Sequence, residues 1–135
     1  MIERIFPATE DQLEPVQSFI DGELERYDCP PKAQIQLAVA VEEIFINIVR
    51  YAYHPEIGLA TVRCSVGGDP LQVTIQFLDN GKPFNPLEKE DADITLSAEE
   101  RQIGGLGILM VKRSMDEVDY VYENGQNILT LVKKI

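Results

Sequence analysis

The chain has 135 residues, which is the length of one domain and too short for two domains that each bury a core. Its 44% apolar and 26% charged residues are typical of a soluble globular protein. Acidic residues outnumber basic ones 23 to 12, and the net charge of -11 comes without a cluster of Lys and Arg, which argues against binding to nucleic acid or to an anionic membrane.

Hydrophobic periodicity predicts the element order β-α-α-β-β-loop-α-β-β. In chain order these are a strand at residues 2–6, helices at 10–26 and 32–53, strands at 59–66 and 71–78, a long loop at 82–103, a helix at 106–115, and strands at 118–122 and 127–133. Hairpins combined with helices predict a single α/β (α+β) domain over residues 1–135. We expect a two-layer sandwich, with the helices on one face of a mostly antiparallel mixed sheet.

Two polar residues lie four positions apart on the second predicted helix. Glu43 and Asn47 therefore share one face, among apolar neighbours such as Ile44 and Ile48. Glu43 could act as a base, and Asn47 could offer its carbonyl oxygen to a hard cation such as Mg²⁺. The alternative is that both residues lie on the solvent edge of an amphipathic helix.

The second predicted hairpin strand ends in Asp79-Asn80-Gly81. This pattern puts a carboxylate at the mouth of the sheet, beside a flexible stretch of backbone. Such a carboxylate can accept a hydrogen bond from the exocyclic amine of a base. An ordinary Asn-Gly turn would explain Asn80 and Gly81 without any ligand.

The third predicted helix follows a run of glycines, Gly104-Gly105-Leu106-Gly107-Ile108. Glycines allow the backbone to approach a ligand closely, and the first turn of a helix has free N–H groups at its positive end. This is the form of a phosphate site, although it matches neither the dinucleotide fingerprint nor the P-loop. A loop-to-helix joint without a ligand is the alternative.

The order of these motifs is more specific than any one of them. A helix with Glu-x-x-x-Asn, a strand ending in Asp-x-Gly, a long loop and Gly-x-Gly at a helix N-terminus together resemble the N, G1 and G2 boxes of the Bergerat-type, or histidine kinase-like, ATPase domain. Residues 101–108, 111–116 and 127–133 are similar to the short anti-sigma-factor serine/threonine kinases. The resemblance covers roughly residues 5–134.

The resemblance implies a role for each matching side chain. Glu43 matches the base that activates the hydroxyl of a protein substrate, and Asn47 matches the Mg²⁺ ligand. Asp79, with Gly81 beside it, matches the acid that binds the adenine amino group of ATP. Thr130 matches a hydroxyl that contacts the adenine, often through water.

The resemblance also implies how the phosphates are bound. The glycine-rich segment matches the backbone cradle for the phosphates, at Gly105, Leu106, Gly107 and Ile108. Residues 85–103 match a mobile lid. Arg101, in that lid, is positioned to approach the phosphates, or is a solvated lid charge.

Two features differ from the family pattern. Tyr51 stands where many relatives have His, and residues 88–100 hold six acidic residues against one Lys. Neither change removes a residue that matches a ligand contact. They bear on the rate of the reaction and on the protein partner.

The resemblance implies an ATP- and Mg²⁺-dependent serine/threonine protein kinase that is a homodimer. Its implied partners are a small anti-sigma-factor antagonist, which it phosphorylates, and a sigma factor. One alternative is a nucleotide-dependent binding module that sequesters a partner with little or no turnover, and another is a degenerate fold without a nucleotide. Histidine kinase activity is disfavoured, because the chain has one His, His54, beside Pro55 at a helix end.

Two further observations concern the cellular compartment. Cys29 and Cys64 do not have the spacing of a disulfide framework or of a zinc site. The first residues lack the apolar segment of a signal peptide. We therefore expect a cytoplasmic protein.

Overall fold

The computed structural model of the chain describes residues 1–88 and 105–135. The main elements are β1 (Ile2–Pro7), α1 (Leu13–Glu25), α2 (Pro31–Asn47), β2 (Leu59–Gly67), β3 (Gln72–Asp79), α3 (Gly105–Ser114), β4 (Glu117–Glu123) and β5 (Gln126–Lys134). Short 3₁₀ turns lie at Glu10–Gln12 and Pro86–Glu88. The predicted order of helices and strands is confirmed for this part of the chain.

The strands form a five-stranded sheet in the order β1-β2-β3-β5-β4. Within residues 1–88 and 105–135 each pair of neighbouring strands is antiparallel, so this part of the chain contains none of the parallel pairs that a mixed sheet would have. The helices pack on one face of this sheet, which confirms the predicted two-layer α+β sandwich. β3 is the central strand, and the site is built where it ends.

The core lies between the sheet and the helices. Alternate residues of the strands point into this layer, as the period of two requires. The buried residues include Val62 and Cys64 of β2, Val73, Ile75 and Phe77 of β3, Leu129 and Leu131 of β5, Val16, Ile20 and Leu24 of α1, and Leu37, Val41 and Phe45 of α2. On β3 the next inward position after Phe77 is Asp79, so the apolar face of the strand ends in a buried carboxylate.

The second helix differs from the regular helix predicted over residues 32–53. After Asn47 it widens into a π-helical turn over Ile48–Ala52. Such turns disrupt the regular ladder of helical hydrogen bonds and occur frequently at functional sites. Here the carbonyl oxygen of Ala52, at the end of the turn, accepts a hydrogen bond of 2.9 Å from the N–H of Lys82. The end of the helix is thereby joined to the loop that follows β3.

Among the described residues, none of the helices combines the length and the apolar character that a membrane span requires.

Candidate functional site

A cleft opens between the C-terminal half of α2 and the ends of β3 and β5. Its lining is mostly apolar and includes a few polar side chains. The lining residues are Ile44, Asn47, Ile48, Ala52, Phe77, Asp79, Phe84, Pro86, Tyr120, Asn127 and Leu129. The empty space within the cleft, including the part open to solvent, is about 390 Å³. Binding sites for small molecules have this kind of apolar lining and this small number of fixed polar groups.

Asp79 is a buried carboxylate in the wall of the cleft, with 5% of its surface exposed. Its Oδ1 accepts two hydrogen bonds of 2.9 Å, one from the N–H of Gly81 and one from Nδ2 of Asn127. Burial raises the pKa of Asp79, and these two hydrogen bonds lower it by a smaller amount. Its Oδ2 has no hydrogen bond to the described residues, so this oxygen can accept one from a ligand.

Gly81 allows the turn after β3 to pack against α2. A Cβ atom at this position would lie 2.3 Å from the carbonyl oxygen of Ala52, so a side chain does not fit there. This close approach also allows the hydrogen bond from Lys82 to Ala52. The glycine is therefore required by the packing of the turn, and its N–H helps to hold Asp79.

Asn127 is a residue of the site that the sequence analysis missed. It pairs directly with Asp79 in the register of β3 and β5, and only 6% of its surface is exposed. The signal in the sequence is an amide at an inward position, two residues before Leu129 and four before Leu131. Its significance depends on the register, because only the register shows that Asp79 lies opposite.

Thr130 is not brought to the cleft. Its neighbour Leu129 faces the core, and successive side chains of a strand point to opposite faces. The Thr130 hydroxyl lies on the other face of the sheet, where it accepts a hydrogen bond of 3.3 Å from Nε2 of Gln76. The expected contact between this hydroxyl and an adenine in the cleft is therefore corrected, and Asn127 is the β5 residue in the cleft wall.

Glu43, Asn47 and Gly107 lie together at the Asn47 side of the cleft, which we call the Glu43 end; of the three, Asn47 is the residue that lines the cleft. Nδ2 of Asn47 donates to the main-chain carbonyl of Glu43 at 2.7 Å and to its Oε1 at 3.1 Å. A Cβ atom at Gly107 would lie 2.2 Å from Oε2 of Glu43, so the carboxylate rests on the backbone of the first turn of α3. Asn47 is 8% exposed and lines the cleft, and it connects this cluster to the end that holds Asp79.

The first turn of α3 contains the four predicted phosphate-binding positions, Gly105, Leu106, Gly107 and Ile108. The first four N–H groups of a helix have no partner within the helix, and they can bind an anion. The side chain of Ile108 is buried in the core and anchors this turn. Arg101 and the predicted lid beyond Glu88 lie outside the described residues.

The amide of Asn47 fits a cation that arrives with its own ligands. Because Nδ2 is turned toward Glu43, Oδ1 is the atom left to face a metal. The described residues contain no group of three or more His, Cys, Asp and Glu that could hold a metal by themselves. Mg²⁺ is usually bound through one or two protein oxygens, together with phosphates and water, so a single amide oxygen is compatible with it.

The chain is similar to several known proteins. Residues 6–133 match the family model of the histidine kinase-like ATPase domain. The serine-protein kinase RsbW of Listeria monocytogenes is 33% identical over 98 residues, which are 69% of this chain and 61% of that protein. The serine-protein kinase RsbW of Bacillus mycoides is 25% identical over 132 residues, which are 95% of this chain and 81% of that protein. The anti-sigma F factor of Thermoanaerobacter pseudethanolicus is 26% identical over 98 residues, covering 73% of this chain and 67% of that one.

A solved structure supports the same fold. The crystal structure of RsbU and RsbW domains from Mycobacterium tuberculosis matches 99% of this chain and 32% of that chain, with a TM-score of 0.68 and 16% sequence identity. The chain thus spans about three fifths of the length of the Listeria relative and one third of that crystallised chain.

Proposed function

The chain belongs to the histidine kinase-like ATPase domain family, and we propose that it is an ATP-binding serine/threonine protein kinase of the anti-sigma-factor type. Its substrate would be a hydroxyl of a small antagonist protein, and through that protein it would regulate a sigma factor. The observation that carries the proposal is that Asp79 and Asn47 line one cleft, with Glu43 hydrogen-bonded to Asn47 and resting on Gly107.

The adenine of ATP would be bound at the Asp79 end. Oδ2 of Asp79 would accept a hydrogen bond from the exocyclic amine, while Oδ1 stays bonded to Asn127 and Gly81. The apolar side chains of Ile44, Phe77 and Leu129 would remove the ring from water. A flat heteroaromatic ring with one amine matches both the apolar lining and the single free carboxylate oxygen.

The phosphates would be bound at the other end of the cleft. The free N–H groups in the first turn of α3 would face them, and Oδ1 of Asn47 would hold Mg²⁺. Mg²⁺, when bound, neutralises charge on the phosphate oxygens. Backbone amides and a metal supply this positive field, so the net charge of -11 is compatible with a nucleotide.

Glu43 would be the base. Its carboxylate is half-buried and is oriented by Nδ2 of Asn47. It would accept the proton of a serine or threonine hydroxyl as the oxygen of that hydroxyl bonds to the γ-phosphorus and ADP leaves. Phosphoryl transfer depends mainly on positioning and on electrostatic stabilisation, and a carboxylate that orients the nucleophile supplies the first of these.

The names of the relatives point to the partners. An antagonist protein and a sigma factor would both contact this chain, and the family resemblance adds a homodimer in the cytoplasm. Because acidic residues exceed basic ones by 11, a basic or neutral contact face on each partner would be favoured.

The test of this proposal is the variant Glu43→Gln. The amide keeps the shape of the side chain but cannot accept a proton, so transfer should fall by about 100- to 10,000-fold. The affinity for Mg-ATP should change by less than about threefold, since the adenine contacts are untouched. Glu42→Gln is the matched control, because Glu42 is the neighbouring residue and is exposed.

Transfer would be measured with labelled ATP and small proteins encoded by neighbouring genes, and affinity by calorimetry. Unchanged transfer in Glu43→Gln would disprove the role of Glu43. If the unmodified protein binds Mg-ATP and a partner but transfers no label, it is a nucleotide-dependent binding module instead of a kinase.

A further inference from the structure

The side chain of Asn127 connects three parts of the cleft wall. Its Nδ2 donates to Oδ1 of Asp79 at 2.9 Å and to the carbonyl oxygen of Lys82 at 2.8 Å. Its Oδ1 accepts from the N–H of Phe84 at 3.1 Å and from the hydroxyl of Tyr120. One amide thus ties β3, β4 and the loop after β3 to β5.

These bonds use the full capacity of the amide. An Asn side chain has two N–H donors and one carbonyl oxygen with two lone pairs, and all four are engaged. The neighbours also fix its orientation, because a carboxylate and a carbonyl can only accept, whereas the N–H of Phe84 can only donate. Asn127 therefore has no hydrogen bond left for a ligand, and it would act through another residue.

That residue is Asp79. Oδ1 of Asp79 is occupied by donors from Asn127 and Gly81, which leaves Oδ2 as its acceptor toward the cleft. Because Asn127 is neutral, it holds the carboxylate without adding a second charge. An acidic residue at this position would bring two carboxyl groups together, and these would share a proton.

We propose that Asn127 is a positioning residue that keeps Asp79 an obligate hydrogen-bond acceptor, and that it thereby sets the preference of the cleft for a purine with an exocyclic amine over a purine with a carbonyl. This inference rests on the proposed nucleotide-binding function. An acceptor pairs with the amine of adenine and faces the carbonyl oxygen of hypoxanthine without a hydrogen bond. Sites built around one such hydrogen bond discriminate strongly against the analogue that cannot make it.

The experiment compares the affinities for ATP and inosine triphosphate in the full chain and in Asn127→Asp. The two residues have nearly the same shape, but a carboxyl group at 127 would share a proton with Asp79, which would then donate as well as accept. The preference for ATP should fall by about tenfold or more, and it should become dependent on pH, because the shared proton is lost as the pH rises. A purely structural role of Asn127 would lower both affinities equally and leave their ratio unchanged.

A milder variant covers the case in which Asn127→Asp does not fold. Tyr120→Phe keeps the ring and removes one donor to Asn127, so we expect a loss of preference of about two- to threefold. Tyr122→Phe is its control, since Tyr122 lies two residues further on the same strand and is exposed.

The outcomes separate this inference from the proposed function. An unmodified protein that binds neither nucleotide would overturn both. If the unmodified protein prefers ATP and folded Asn127→Asp keeps the same preference, only the role of Asn127 is overturned. If Asn127→Asp does not fold, an unchanged preference in Tyr120→Phe has the same meaning. A reduced preference in these variants, with Tyr122→Phe unchanged, supports it.

Discussion

The two ends of the cleft are built in different ways. At the Asp79 end, hydrogen bonds join Asp79, Asn127 and Gly81 across two strands and a loop, and both polar side chains are almost fully buried. At the Glu43 end, a half-buried carboxylate meets one amide and the bare backbone of Gly107. The first end is fixed in advance by the fold, which suits the selection of a base. The second presents the backbone of a helix N-terminus, which suits charged groups that arrive with the ligand.

The difference implies that binding and transfer can be lost separately. Changes at the Glu43 end should remove transfer and spare the fold. Changes at the Asp79 end should weaken nucleotide binding. Their effect on the stability of the fold depends on the free-energy cost of burying the charge of Asp79. Glu43→Gln tests the Glu43 end, and Asn127→Asp tests the Asp79 end.

The largest of these effects is expected for Gly107→Ala. The added Cβ would overlap Oε2 of Glu43, which lies at 2.2 Å from its ideal position. This oxygen is at the end of a flexible side chain, so the fold can adapt by moving the carboxylate. Displacing a catalytic group by about 1 Å can cost about 100-fold in rate, and we expect a loss of transfer of that size.

The control for Gly107→Ala is Gly22→Ala. Gly22 lies within α1, and a Cβ atom there would meet nothing within 4 Å. Alanine is favoured over glycine inside a helix by up to about 1 kcal/mol, so this variant should be slightly more stable, with full transfer. Thermal unfolding and transfer would be measured for both. Full transfer in Gly107→Ala would show that the carboxylate of Glu43 does not need its present position.

The next effect is expected for Asp79→Asn. The amide oxygen can keep both hydrogen bonds that Oδ1 now accepts, but an N–H group replaces the free acceptor. We therefore expect the affinity for ATP to fall by about ten- to 100-fold. Calorimetry would measure it, with Asp119→Asn as the control, because Asp119 is an exposed carboxylate on β4.

Although Asp79→Asn should weaken ATP binding, it should not lower the stability of the fold at neutral pH. Burial raises the pKa of Asp79 above 3.8, so the folded protein binds this proton more tightly than the unfolded chain does. The contribution of Asp79 to stability is therefore present below pH 3.8 and is lost as the pH rises through the raised pKa. At neutral pH the variant should be as stable as the unmodified protein or more so, and this advantage should vanish in acid. Thermal unfolding of both proteins across this pH range would measure the difference, and a marked destabilisation of Asp79→Asn at neutral pH would contradict this prediction.

The sequence predicts the parts of the site that depend on local spacing. Glu43 and Asn47 share a helix face because they are four residues apart, and Asp79 continues the inward positions of its strand. The contact of Gly107 with Glu43 depends on how α3 meets α2, which no local pattern determines. A related cause explains why Asn127, and not Thr130, lies in the cleft wall. The two residues are an odd number of positions apart on β5, so their side chains lie on opposite faces of the sheet.

The smallest effect is expected for Thr130→Val, which tests that reversal. The Thr130 hydroxyl is bonded to Gln76 on the face away from the cleft. We therefore expect the affinity for ATP to change by less than about twofold, whereas Asn127→Asp changes the base preference by about tenfold. Thr74→Val is the comparison, because Thr74 also lies on the outer face, two residues before Gln76. If Thr130→Val alone weakened ATP binding by about tenfold, this hydroxyl would have to contact the base, and the register of β5 described above would be wrong.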